Sequence, residues 1–209
     1  MKIRHIYLET DRLSELKAFY RSLFPVIEEG KTHFTLLAGD TAMTFTLAGG
    51  HAFYHFAFGL TEEKYRRTVQ LLDESISRLQ GKNGEEEFMS GQWKRKQVYY
   101  RDPAGNLIEV MRHPGRPGLL EIGLPVRNVP DFIEEVTKHI PTSYSAESEM
   151  FAFLGDGNGV LVVTKEGRPW FPAGIPSEIH SIILKIETGI EEQIGRLSFP
   201  GLPYTILLT

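Results

Sequence analysis

The sequence predicts an α+β fold in which βαβββ modules repeat along the chain and form curled mixed sheets. Two observations carry this prediction. A strand with a histidine near its middle precedes an amphipathic helix twice, first around His5 and again around His55. Shorter stretches of alternating apolar and polar residues, typical of strands, follow each helix. Repetition on this scale indicates structural modules built on one plan.

The first module begins with a strand at about residues 2–9 and a helix at about 11–22. Apolar residues recur at helical spacing in that second segment, from Leu13 through Leu16 to Phe19 and Tyr20. The remaining strands of the module are expected around residues 26–29, 33–37 and 41–47.

The second module pairs a strand at about residues 52–59 with a helix that Thr61 opens as its N-cap. One or two strands lie between Lys82 and Arg101. The sequence Asp102-Pro103-Ala104-Gly105 then predicts a turn, because proline presets one φ angle and glycine accepts a positive one. The closing strand that follows carries a single acid, Glu109.

A segment with two prolines and two glycines, 114–118, is the expected linker between two halves of the chain. Residues 1–113 are predicted to form a two-module domain that holds the candidate site. Residues 118–209 are predicted to form a second, degenerate half. Its third module starts near Leu119, and its fourth starts near Ile179 with room for one helix and one later strand.

Composition limits the classes of function. The chain has 209 residues, 41% of them hydrophobic, and a formal charge of −4, so neither nucleic acid nor an anionic membrane is an expected partner. It has no cysteine, which excludes disulfides and thiolate chemistry. No apolar run suits a signal peptide or a membrane span. A cytoplasmic protein is expected.

Three side chains on separate strands are candidate ligands of a divalent metal: His5, His55 and Glu109. Two neutral imidazoles and one carboxylate suit Mn²⁺, Fe²⁺, Zn²⁺, Ni²⁺ or Co²⁺. Period-two alternation places Tyr7 on the face of His5, where it is a candidate catalytic hydrogen-bond donor or acid. The competing interpretation is structural: the histidines are core or rim residues, and Glu109 points outward to pair with Arg112 or Lys96.

The two histidine-bearing openings and the Asp-Pro-x-Gly-Asn-x-x-Glu closure at 102–109 resemble the vicinal oxygen chelate superfamily. Glyoxalase I, extradiol dioxygenases, fosfomycin-modifying thiol transferases and bleomycin-resistance proteins belong to it. The resemblance covers residues 1–112. In 118–209 it rests on Glu121 and His180 at equivalent points, and on the glycine-rich turn 155–159.

The resemblance implies that two modules combine into one curled sheet around a metal and a small substrate, with ligands on the first and last strands. His5, His55 and Glu109 are the implied ligands. The fourth ligand position falls near Thr44 or Thr46 and offers no carboxylate. The closing strand of the third module is likewise apolar around Val162, so Glu121 and His180 are interpreted as a pair that can hydrogen-bond without a metal.

Two functions follow from the resemblance. The first is a metal-dependent lyase, dioxygenase or thiol transferase that acts on a small oxygen-rich substrate. The alternative is a metal-free small-molecule binding protein of the bleomycin-resistance type. Either would act as a monomer or homodimer.

Overall fold

The computed structural model describes residues 1–115, 117–190 and 194–209, and only the backbone of 144–147. The first module comprises β1 (Lys2–Thr10), α1 (Leu13–Arg21), β2 (Val26–Glu29), β3 (His33–Ala38) and β4 (Thr41–Leu47). The second comprises β5 (His55–Leu60), α2 (Glu62–Ser75), β6 (Phe88–Met89), β7 (Lys96–Arg101) and β8 (Leu107–Arg112). Helix α2 begins after Thr61 as predicted, although the threonine side chain makes no capping hydrogen bond.

The third module comprises β9 (Gly118–Val126), α3 (Val129–Thr137), β10 (Ser143–Ser148), β11 (Phe151–Asp156) and β12 (Gly159–Lys165). The fourth contributes β13 (Ile182–Glu187), β14 (Gly195–Ser198) and β15 (Tyr204–Leu208). In its described parts, 182–190 and 194–209, the structure has strands and no helix; residues 191–193, within the segment where a helix was expected, lie outside the described residues.

Two mixed sheets organise these strands. The first has seven strands in the order β14-β15-β13-β1-β4-β3-β2, and the second has eight in the order β10-β11-β12-β9-β5-β8-β7-β6. Within each module the first and last long strands are parallel neighbours, as with β1 and β4 or β5 and β8. Different modules join through antiparallel pairs. The predicted α+β fold of curled mixed sheets is confirmed.

The pairing of modules differs from the sequence prediction. Module one joins module four through β1 and β13, and module two joins module three through β5 and β9. The predicted boundary at 113–118 therefore does not separate the two sheets. Strand β8 ends at Arg112 and β9 begins at Gly118, so the predicted linker is a short connection inside one sheet. Its Arg116 lies outside the described residues.

One large apolar core joins the two sheets and the three helices. Ile6 and Leu8 of β1 belong to it, as do Phe56 and Phe58 of β5. Because side chains alternate along a strand, His55 and Ala57 project from the opposite face of the eight-stranded sheet. The side chains on that face form smaller clusters and line a cavity.

No helix in the described part of the chain is long and apolar enough to cross a membrane.

Candidate metal centre

Three neighbouring strands, β8, β5 and β9, carry the polar side chains of the candidate site. In the parallel pair of β5 and β8, Ala57 lies opposite Glu109. In the antiparallel pair of β5 and β9, the same Ala57 lies opposite Glu121. The two glutamates thus flank one alanine, and His55 lies two residues earlier on the same face. The small methyl group of Ala57 leaves room for the three polar side chains to meet.

The three side chains form a buried cluster. One nitrogen of His55 and one carboxylate oxygen each of Glu109 and Glu121 all lie within 4.8 Å of one another. His55 Nε2 is 3.5 Å from Glu109 Oε2. The relative exposure of these residues is 6%, 3% and 4% respectively, so each ionisable group is removed from water.

A second layer of side chains holds this cluster in place. Trp93 donates its indole N–H to Glu121. Tyr99, which lies opposite Glu109 in the pairing of β7 with β8, hydrogen-bonds that carboxylate and accepts an N–H from Gln97. These donors orient both carboxylates toward the cavity, the role that outer-layer partners play around metal ligands.

The His55 ring is fixed by packing rather than by hydrogen bonding. The Trp170 ring lies against it with centroids 4.7 Å apart. Gly123 permits this contact, since a Cβ there would come within 2.7 Å of Trp170 and 3.2 Å of the His55 Cβ. Among the described residues, no group hydrogen-bonds the buried His55 Nδ1. Buried polar atoms rarely lack a partner, so this nitrogen is a vacant donor or acceptor position.

Burial dominates the protonation equilibria of the site. It raises the pKa of Glu109 to about 8, an effect that the hydrogen bond from Tyr99 partly offsets. Burial and the adjacent Glu109 raise the pKa of Glu121 to about 8, with His55 and Trp93 acting in the opposite sense. Burial lowers the pKa of His55 to about 4. Near neutral pH the imidazole is therefore neutral, and ionising both carboxyl groups is costly without a cation.

These properties fit a divalent metal ion. Two close, buried carboxylates lack any buried positive partner among the residues that shift their pKa values. The neutral imidazole of His55 lies beside them, with its Nε2 3.5 Å from Glu109 Oε2. A cation between the three groups would offset the cost of ionising the acids, and one nitrogen and several oxygens suit a transition metal.

The closure motif identified in the sequence positions two of these residues. Asp102 accepts hydrogen bonds from the backbone N–H groups of Ala104 and Asn106, and from the Tyr20 hydroxyl. Asn106 in turn accepts the backbone N–H of Tyr54 through its side-chain oxygen. The motif therefore fixes the start of β8, which carries Glu109, against the start of β5, which carries His55.

The cluster lines a cavity of about 330 Å³, at the lower end of the range typical of small-molecule sites. Six aromatic residues form much of its wall: Phe88, Tyr99, Phe151, Phe153, Trp170 and Phe171. The cavity thus combines one polar cluster with a mainly aromatic lining.

The structure brings His55 and Glu109 together as predicted but places His5 elsewhere. His5 lies in the seven-stranded sheet, where its Nε2 is 2.8 Å from Thr44 Oγ1 and its ring stacks on Tyr7 at 4.0 Å. The prediction that His5 meets His55 and Glu109 in one site is therefore wrong. Tyr7, the predicted catalytic residue, belongs to the same sheet as His5 and does not line the cavity. Both residues are on β1, which pairs with β13 rather than with module two.

Glu121 takes the place that the sequence analysis assigned to His5. The sequence analysis noted Glu121 as an acid on the first strand of module three, but expected it to hydrogen-bond with His180. The two residues do not pair: Glu121 bonds Trp93, whereas His180 Nε2 lies 3.2 Å from Glu178. The closing strand of that module is apolar toward the cavity, as predicted, with Val160 and Val162 buried there.

Comparison with known proteins finds solved structures of similar fold but no relative by sequence. No protein-family profile matches the chain, and no curated protein matches it. Among solved structures, a Bacillus subtilis protein named as a candidate dioxygenase superposes with a TM-score of 0.69 at 12% identity. That match covers 100% of this chain and 85% of that one.

Glyoxalase I from Zea mays superposes with a TM-score of 0.61 at 13% identity, covering 99% of this chain and 91% of that one. At these identities the likeness concerns the fold alone, and it extends over both sheets. The chain has the fold of the vicinal oxygen chelate superfamily.

Proposed function

We propose that the protein is a divalent-metal-dependent enzyme that acts on a small, oxygen-rich substrate. His55, Glu109 and Glu121 would hold the metal. The observation that carries this proposal is the meeting of three buried ligand atoms within 4.8 Å of one another in an aromatic cavity. A lyase, a dioxygenase or a thiol transferase are the reaction classes that this proposal includes.

The donor set indicates which metals to test first. Two carboxylates and one imidazole form a harder set than the two imidazoles and one carboxylate expected from the sequence. Carboxylates favour Mn²⁺, and imidazole also suits Fe²⁺, Zn²⁺, Ni²⁺ and Co²⁺. Mn²⁺ is therefore the first ion to test, followed by Fe²⁺, Zn²⁺, Ni²⁺ and Co²⁺.

A bound metal would supply Lewis acidity to an oxygen of the substrate. The protein contributes the surroundings. Burial and the neighbouring carboxylates raise the pKa of Tyr99 well above its usual range, so its phenol stays protonated and donates to Glu109. The aromatic lining and the burial of the three polar side chains lower the local polarity, which strengthens electrostatic interactions among them. Neutral His55 is available as a ligand throughout the physiological pH range.

Metal analysis tests the proposal. Protein purified without chelator and reloaded with Mn²⁺ or Fe²⁺ is expected to bind about one ion per chain. Substitutions His55→Ala, Glu109→Gln and Glu121→Gln are each expected to abolish or greatly weaken binding. The matched control is His5→Ala, a strand histidine at the equivalent point of module one, which should bind normally. Equal metal content in all variants would refute the site.

A second function has one observation in its favour. Aromatic rings surround two carboxyl groups, an arrangement that also suits an organic cation, as in a metal-free binding protein of the bleomycin-resistance type. A thermal-shift screen separates the two functions. Stabilisation by Mn²⁺ that EDTA reverses supports the enzyme, and stabilisation by organic cations in the presence of EDTA supports the binder.

The wider setting of this function stays a prediction. A small-molecule substrate, a cytoplasmic location and a monomeric or homodimeric state follow from the sequence analysis. Size-exclusion chromatography with light scattering would determine the oligomeric state.

A further inference from the structure

Arg168 is the one cationic side chain among the described residues that line the cavity. It is half-buried, and its guanidinium carbon lies 4.3 Å from the centroid of the Phe151 ring. It forms no ion pair with any residue that the structure describes. A planar guanidinium held on an aromatic face keeps its edge donors available for a carboxylate or phosphate.

The backbone around Arg168 is fixed. Its backbone N–H donates to the Lys165 carbonyl, and its own carbonyl accepts the backbone N–H of Ser177. The donor–acceptor distance is 3.0 Å in both bonds. The Phe151 ring on which the guanidinium lies is itself buried. The cation is therefore held at one place on the cavity wall, so its position can select among ligands.

Arg168 is not the counter-ion of the buried glutamates. The charged groups that shift the pKa of Glu121 are Glu109 and His55, and no charge contributes to the shift of Glu109. The order of strands in the sheet accounts for the distance between Glu121 and the Phe151 ring, on which the Arg168 guanidinium lies. Phe151 is on β11, two strands from β9, which carries Glu121. Two inter-strand spacings contribute roughly 10 Å, since neighbouring strands lie about 4.8 Å apart. The residues are also offset along the strands, because Phe151 lies opposite Thr164 of β12 whereas Glu121 lies opposite Val160.

From this arrangement we infer that Arg168 binds an anionic group of the substrate at the end of the cavity opposite the candidate metal centre. The inference rests on the proposed function and narrows its substrate class. The substrate is a small anion with metal-binding oxygens at one end and a carboxylate or similar group at the other. An aromatic or apolar portion connects them along the aromatic wall. Arg168 is thus a specificity-determining residue.

A matched pair of probes tests the inference. Dihydrocaffeate carries a catechol and, on a short chain, a carboxylate, and its primary amide is the neutral counterpart. Calorimetric titration of Mn²⁺-loaded protein is expected to show at least tenfold tighter binding of the acid. Arg168→Gln should remove that preference by weakening the acid alone, whereas Arg168→Lys should keep part of it. Mn²⁺ affinity, measured separately, should be the same in all three proteins.

The outcomes separate this inference from the proposed function. Equal binding of acid and amide by the wild-type protein would overturn the role of Arg168, as would a preference that survives in Arg168→Gln. Normal Mn²⁺ binding in either case would leave the metal centre standing. Failure to bind Mn²⁺, combined with an Arg168-dependent preference for the acid in EDTA-treated protein, would refute the metal centre and support the anion site.

Discussion

The side-chain oxygen of Asn106 accepts the backbone N–H of Tyr54 at 2.8 Å, which ties the closing turn of module two to the residue before His55. The backbone bond from Leu107 N–H to the Tyr54 carbonyl, also 2.8 Å, reinforces the connection. Both bonds act at the start of the β5–β8 pair, whose register then places Glu109 beside Ala57. A motif recognisable in the sequence thus performs a structural task that the candidate site requires.

Removing that link should destabilise the protein. Asn106→Ala leaves the buried Tyr54 N–H without its partner, so we expect a loss of about 1–3 kcal/mol in the free energy of unfolding. Urea denaturation measures this. Asn158→Ala is the control, because Asn158 occupies the corresponding turn of module three and is exposed. Equal stability of the two variants would show that the Asn106 bond is dispensable.

Metal binding should release protons near pH 7. The pKa values of Glu109 and Glu121 are raised to about 8, so both groups are mostly protonated in the metal-free protein. A metal binds the carboxylate form, and more than one proton per ion should therefore leave. Titration calorimetry in buffers of different ionisation enthalpy counts them. The count should fall toward zero at pH 9, and a count near zero at pH 7 would contradict the raised values.

The stability of the metal-free protein should fall as pH rises from 6.5 to 8. The folded pKa of Glu109 and of Glu121 lies above the unfolded value of 4.5, so their contribution is present at low pH and lost as pH approaches 8. The pKa of His55 is lowered from 6.5 to about 4 in the folded protein, so its effect on the free energy of unfolding has the opposite sign. That effect develops mainly below pH 6.5 and changes little above it. Asp102, whose pKa is raised to about 6, is already largely ionised at pH 6.5 and so adds little to the change in stability up to pH 8.

Urea unfolding in EDTA at pH 6.5, 7.2 and 8 tests the decline. Glu109→Gln cannot ionise at that position and should show a shallower decline than wild type. A wild-type protein whose stability rises through this window would contradict the sign derived from the two glutamates.

Intrinsic fluorescence should report metal binding directly. Both tryptophans of the chain contact the candidate ligands: Trp93 donates to Glu121, and Trp170 packs on His55. Paramagnetic Mn²⁺ or Co²⁺ is therefore expected to quench emission in a saturable way.

Replacement of Trp93 separates its hydrogen bond from its ring. Trp93→Phe removes the donor to Glu121 and should weaken metal affinity by about 10- to 100-fold, the usual effect of losing an outer-layer partner. Trp170→Phe keeps every hydrogen bond to the carboxylates and should have a smaller effect. Equal affinities for the two variants would show that the Trp93 hydrogen bond does not support the site.

Local patterns in the sequence predicted much of the fold. The strand and helix of each opening, the turn at 102–105 and the inward faces of His55 and Glu109 follow from periodicity within one module. His55 and Glu109 could be predicted together because β5 and β8 are parallel neighbours within that module. A prediction confined to one module needs no knowledge of how modules assemble.

The third candidate ligand, which joins His55 and Glu109, depends on contacts between modules. Strand β5 pairs with β9 and brings Glu121 to the cluster, whereas β1 pairs with β13 and keeps His5 in the other sheet. The exposed backbone of an edge strand can pair with many other strands, so the alternation along β1 fits either arrangement. The sequence by itself determined the modules and two of the three candidate ligands. The tertiary structure decided the third, because packing of the whole core selects which edges join.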